Sequence, residues 1–315
     1  MALVASGALL PSGGVAAERY ALVVRGVAGS PAHAERQAAW GASLVEALVA
    51  RLEVPAAHVR VLQPEPAPAD TLATAANLRS ALGDLRGRIR PGDLLLVVLL
   101  GHGTFDGVDA KFNLVGPDVE AAEWRALLDG VPGRVVFVNT TSASAPFLAR
   151  LAAPGRVVIT ATDSPAQRFD TVFPEFFAEA FGGEESDLDK DGRVSIGEAF
   201  AHASRRTRRW YEQQGRLPTE RAVLDDTGDG MGKEAGAIGP DGALAARVFL
   251  DGGDQPALRR DPAVSELIAR RDVLESAVED LKRKRAFMPA ADYARELERL
   301  LVDLARTSRR IRSPS

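Results

Sequence analysis

Asp187, Asp189 and Asp191 recur at every second position, Gly192 follows, and Glu198 closes the stretch. Carboxylates spaced this closely repel one another unless a cation lies between them. The run meets the twelve-residue calcium loop of EF-hand type at each ligand place. Asp187, Asp189 and Asp191 supply side-chain oxygens, Gly192 permits the sharp turn, and Arg193 offers its carbonyl. Ser195 reaches the ion directly or through water, and Glu198 closes the site with both oxygens. Val194 is the apolar residue that anchors such a loop to a core. The bland alternative is an acidic surface turn. Gly182-Gly183 separates the loop from the preceding helix, and no paired hand follows, so the spacing predicts a structural staple, not a sensor. A poorer candidate, Asp225, Thr227 and Asp229, opens the same pattern but has Gly236 at the closing place. It reads as a second calcium site or as an Asx-rich turn.

A second constellation lies at two strand ends. The most apolar run of the chain ends in Gly101-His102-Gly103, and a later one ends in Asn139-Thr140-Thr141-Ser142-Ala143-Ser144. This order resembles the caspase-like cysteine peptidases, particularly the legumain branch, over roughly residues 18 to 250. There a His-Gly at one strand end serves the base side of the site, and a Cys at the next strand end is the nucleophile. The chain is similar, too, to bacterial calcium-loop proteins with an Asn-Thr-Thr-Ser-Ala-Ser run in place of that Cys. The resemblance implies an acid–base role for His102 and an oxyanion-hole amide at Gly103, and it puts Thr141 at the nucleophile's place.

Here the chain departs from the family, for it contains no cysteine. A thiol is partly ionised near neutrality, whereas a hydroxyl needs an oriented base with a third residue behind it. Asp106 and Asp163 are the acidic candidates for that third place. Two readings follow. In one, the chain is a pseudo-peptidase, a calcium-bound binding or scaffolding module whose cleft holds a peptide or protein. In the other, Thr141, Ser142 or Ser144 works with His102 as a hydrolase. Without the family, Asn139–Ser144 is a polar strand-to-helix turn in which Ser142 or Ser144 caps the next helix. A hydroxyl within about 3.2 Å of a His102 nitrogen separates these readings. His33, His58 and His202 lie apart in the chain, and no zinc-type ligand spacing is visible.

The remaining bounds are broad. The chain has 315 residues, 46% hydrophobic and 26% charged, enough to bury a sizeable core. A net charge of −4 gives no reason to expect a nucleic-acid partner. No run of 18 apolar residues suggests a membrane span. Residues 1–17 are uncharged past the amino group and end in Val15-Ala16-Ala17, like a signal peptide, although no basic residue precedes Arg19. An exported (periplasmic or extracellular) and a cytoplasmic location both stay open.

The elements that must position these residues alternate. Strands are expected at Tyr20–Gly26, Val59–Leu62, Asp93–Leu100, Arg134–Val138, Arg156–Thr162 and, last, near Ala246–Leu250. Helices fall at His33–Leu52, from Asp70 or Thr71 through Leu85, at Thr171–Phe181 and at Ser195–Gln213. The pattern predicts an α/β fold, a mostly parallel sheet flanked by helices, over 18–255. Residues 256–315 differ. Leu267, Leu274 and Leu281 recur by sevens, and Leu297, Leu300, Leu301 and Leu304 share a face, predicting a coiled-coil-like helical hairpin. That hairpin packs on its own domain or joins two copies of the chain. Lys282-Arg283-Lys284-Arg285 ends its first helix, where cations complement the dipole.

Overall fold

The computed structural model describes residues 17–251 and 288–312, together with scattered positions between 267 and 285. The signal-like stretch before Ala17, most of the first C-terminal segment and Lys282-Arg283-Lys284 lie outside the described residues.

Strands β1 (Arg19–Arg25), β2 (Val59–Leu62), β3 (Leu94–Leu100), β7 (Arg134–Asn139) and β8 (Val157–Thr160) form a parallel sheet. The order is β2-β1-β3-β7-β8, and β9 (Val223–Asp225) is added antiparallel at the edge. Every residue of β3 is buried, as expected of a central strand covered on both faces. Its side chains alternate. Leu94, Leu96, Val98 and Leu100 enter one core, with Leu44 of α1 (Pro31–Glu46), Phe173 and Phe177 of α5 (Phe173–Glu179) and Phe200 of α6 (Ile196–Gln213). Leu95, Val97 and Leu99 enter the other core. There they meet Leu78 of α2 (Ala75–Arg88), Trp124 of α3 (Ala121–Leu128) and Phe147 of α4 (Ala145–Leu151).

Two expectations are corrected. Helix α2 is capped by Thr74, whose side chain accepts from the Asn77 amide, and not by Asp70 or Thr71. The two ends of the intervening loop are joined by a bridge between Gln63 and Leu72. The last strand is β9. Residues 245–247 make a 3-10 turn, after which Phe249 forms a single bridge to Ser195. A small antiparallel sheet was also hidden in the sequence: β4 (Gly103–Phe105), β5 (Ala110–Phe112) and β6 (Val119–Glu120). Its strands are too short for periodicity to betray them.

In the C-terminal region α7 spans Ala290–Arg312. Leu274, Val278 and Leu281 are buried with Leu300, and Leu297 and Leu304 pack against them in a small core of their own. Among the described residues no helix is long and apolar enough to cross a membrane.

Candidate functional site

The two strand ends named by sequence lie side by side. Leu99 of β3 pairs with Asn139 of β7, so His102 and Thr141 leave the sheet at its carboxyl edge from adjacent strands. That edge is where open α/β sheets place their clefts. Glycine is required at two points of the approach. Gly101 has φ +147°, with the Gly26 backbone 3.2 Å from where a Cβ would stand. At Gly103 a Cβ would lie 2.5 Å from the Ser142 carbonyl oxygen and 2.6 Å from Thr141 Oγ1, so β4 can begin only against a bare backbone. The turn itself is strained, since Ala143 has φ +50°.

The hydroxyls in that turn are all engaged away from His102. Thr141 Oγ1 donates to Asn139 Oδ1 at 2.7 Å, and the Thr141 amide donates to the same oxygen at 3.0 Å. Ser142 Oγ donates to the Gly103 carbonyl at 3.3 Å. Ser144 Oγ lies 3.0 Å from Thr162 Oγ1 and accepts from the Thr162 amide. All three side chains are buried. Ser144 stands at the N-cap position of α4, as one of the two serines expected there, but its side chain makes no capping hydrogen bond. The Ala145 amide donates instead to Thr162 Oγ1, a residue just past β8.

His102 has the third residue that sequence could not name. It is Asp170, whose Oδ1 lies 3.4 Å from Nδ1. Of the two acids expected there, Asp106 accepts from the amides of Val108 and Asp109, and Asp163 faces Arg221. The other oxygen of Asp170 touches His33 Nε2, from the first turn of α1. Of the three histidines that sequence reads as lying apart, His33 alone is brought to His102, with the two imidazoles 5.7 Å apart, edge to face. His102 Nε2 is buried against Gly29 and has no hydrogen-bond partner among the described residues. Beside it opens a cleft of about 450 Å³ lined by Val27, Gly29, His102, Thr104, Asn113, Ser142 and Arg168. A larger cavity, about 710 Å³, between α6 and residues 216–222 includes none of the residues that sequence assigns to a site.

The acidic loop brings its carboxylates together. Lys190 (φ +60°) and Gly192 (φ +86°) are both left-handed, and one carboxylate oxygen from each of Asp187, Asp189 and Asp191 lies within 4.8 Å of the others. An all-oxygen set of this kind suits a hard cation. Burial, then the neighbouring carboxylates of Asp191 and Glu198, push the Asp189 carboxyl up to about 7. Burial also raises Asp191, although the Arg271 guanidinium opposes it. Glu198 is held otherwise. Oε1 accepts from the Leu188 amide at 2.8 Å, and Oε2 accepts from Ser195 N and Oγ, both at 2.8 Å, in a capping box that starts α6.

The loop is fastened to the chain's later turn. Arg193 stacks on Phe249 at 3.8 Å and grips Asp251, with Nε 2.8 Å from Oδ2. The Ile196 amide donates to the Val248 carbonyl, and Val194 packs on the main core.

The second acidic cluster combines Asp225 and Asp229 with Asp241, which sequence did not single out. Its buried member is already served by the backbone: Asp225 accepts from the amides of Thr227, Gly228 and Gly230. That is the behaviour of an Asx-rich turn.

No family model and no curated protein matches the chain. Among solved structures it is similar to a protein of Geobacter sulfurreducens, 16% identical with a TM-score of 0.47, over 74% of this chain and 98% of that one. It is also similar to iotapain, a secreted C11 cysteine protease from Bacteroides thetaiotaomicron, 10% identical with a TM-score of 0.37, over 68% of this chain and 67% of that one.

Proposed function

We propose that the chain is a calcium-bound, caspase- or legumain-like pseudo-peptidase, a module that holds a peptide segment in the cleft beside His102 without cleaving it. The observation that carries this reading is the engagement of every hydroxyl at the nucleophile's place. Thr141, Ser142 and Ser144 each bond a partner other than His102, and all are buried. A nucleophile must instead lie within hydrogen-bond reach of its base. Support for the module comes from the His102–Gly103 strand end set beside the Thr141 strand end, and from the open space next to the unpartnered Nε2.

Calcium would be held by Asp187, Asp189 and Asp191, with Arg193 and Ser195 contributing and Glu198 turning from its amide partners to close the site. The ion supplies charge neutralisation where three carboxylates converge, and it would stiffen the start of α6. Asp225, Thr227 and Asp229, joined by Asp241, would form a weaker second site. The C-terminal helices would pair with a second copy or fold back as a hairpin.

One observation favours the alternative, a hydrolase using Thr141 or Ser142. Asp170 beside Nδ1 orients His102 as the acid of a catalytic triad does. The deciding experiment screens peptide and ester substrates, and in parallel measures binding of a peptide library, on the calcium-loaded chain. The expected result is no turnover, and binding that is lost when Thr104, at the cleft wall, is replaced by Trp. Turnover abolished by His102→Ala would overturn the reading in favour of the hydrolase.

A further inference from the structure

From the convergence of His33, His102 and Asp170 we infer a site for a borderline divalent transition ion, of which zinc is the type. The three ligands come from three remote pieces of chain: the first turn of α1, the end of β3, and the loop entering α5. One ligand atom from each lies within 4.8 Å of the other two. Two ligands at 2.0–2.1 Å from a tetrahedral ion stand about 3.4 Å apart. His102 Nδ1 and Asp170 Oδ1 stand at 3.4 Å. His33 Nε2 already touches the other oxygen of the same carboxylate. Turning the partly exposed His33 side chain, on the first helical turn, would open that contact around an ion.

The donor set selects the metal class. Two imidazoles and one carboxylate suit zinc and its neighbours, whereas calcium takes oxygen alone. This separates the site from the acidic loop, which has no nitrogen ligand. A recess of about 10 Å³ bordered by His33, Trp40, Gly101 and Asp170 opens at two of the three ligands, about the volume of one water-sized probe. Arg36 borders the same recess and opposes a dication electrostatically. The ligand count leaves a fourth place for water. The site does not depend on the cleft being catalytically silent.

The rival is a plain ion-paired trio, in which Asp170 merely orients two imidazoles. The experiment titrates Co²⁺ and then Zn²⁺ into the full chain held in excess calcium, read by visible absorption and by calorimetry. One equivalent of cobalt should give the visible bands of a tetrahedral site and be displaced by zinc. His33→Ala and Asp170→Asn, both at partly exposed positions, should each weaken binding by about tenfold or more. Asp187→Ala should leave it unchanged. No stoichiometric binding would overturn the inference. So would binding indifferent to His33→Ala, or binding lost in Asp187→Ala.

Discussion

The guanidinium of Arg271 reaches into the acidic loop, with Nη2 2.8 Å from Asp191 Oδ2 and Nη1 3.8 Å from Asp189 Oδ2. Both Arg271 and the Asp191 carboxylate are buried. A cation is thus already supplied, by the chain itself, at the place where the calcium pattern puts its third and fifth ligands. It comes from the C-terminal region, 73 residues beyond Glu198 in the sequence. An arginine and a calcium ion cannot both take the same carboxylate oxygens at full strength.

Arg271→Ala is therefore expected to tighten calcium binding, by about three- to tenfold, or ~1 kcal/mol. The same substitution should lower stability in chelator, because it leaves the buried Asp191 carboxylate without a counter-charge. Calorimetry of calcium binding and thermal unfolding with and without EDTA would show both changes in opposite senses. Weaker calcium binding in the variant would mean that Arg271 belongs to the loaded loop and does not compete with it.

Calcium removal should itself be visible as lost stability. A ligand bound only to the folded state stabilises by about 2.7 kcal/mol at one hundred times its dissociation constant. Since Val194 and Ile196 tie the loop to the main core and to residue 248, that energy should reach the whole domain and raise its melting temperature. Asp187→Ala and Glu198→Ala should each abolish the calcium-dependent rise. Glu198→Ala should also lower the calcium-free melting temperature, because it removes the capping box of α6 as well, a loss of about 1 kcal/mol.

Those loop residues were legible in sequence because the motif is local. Twelve consecutive residues carry it, and Gly192 stands at one of its two left-handed positions. The parallel strands were legible for a different reason: Leu94–Leu100 has no polar residue to expose, so it can only be central. The His33–Asp170–His102 convergence was not, because 137 residues separate its outer members and only the finished sheet brings α1 beside the entry to α5. Strand β9 was hidden by its own end. Asp225 reads as a ligand, yet its backbone completes the sheet while its carboxylate takes the amides of the following turn. Thr162 as the stand-in cap of α4 likewise depends on β8 lying next to β7.

Gly103→Ala tests the close approach of β4 to the Thr141 turn. The added methyl would meet two oxygens at 2.5 and 2.6 Å, one of them backbone, so the turn or the strand has to move. The expected cost is about 1–3 kcal/mol, read as a lower denaturation midpoint at unchanged slope. Displacement of the turn should also reduce peptide binding in the cleft, which Ser142 lines. A variant as stable as the parent would show that the two strand ends lie farther apart than this geometry.

Glu220 gives the pH dependence its sign. Its carboxylate accepts from the amides of Val172 and Phe173 at 2.7 and 3.1 Å, capping α5 from a distant part of the chain, and Tyr211 Oη donates to it at 3.1 Å. Burial outweighs these bonds and pushes the carboxyl up from 4.5 to about 7. Between those values the folded chain binds a proton that the unfolded chain releases, so stability falls as pH rises through that interval. A difference of this size corresponds to a loss on the order of 3 kcal/mol between pH 4.5 and pH 8. Asp189, also pushed up to about 7, would add a slope of the same sign, whereas saturating calcium removes it by keeping the loop charged. Burial lowers His202, and that contribution runs the opposite way, with stability lost as pH falls. Chemical denaturation in excess calcium at pH 5, 6, 7 and 8 should therefore show a declining midpoint in the parent. Glu220→Gln, which keeps one amide acceptor and cannot ionise, should flatten that decline. Parallel pH profiles in the two proteins would show that Glu220 is not the titrating group.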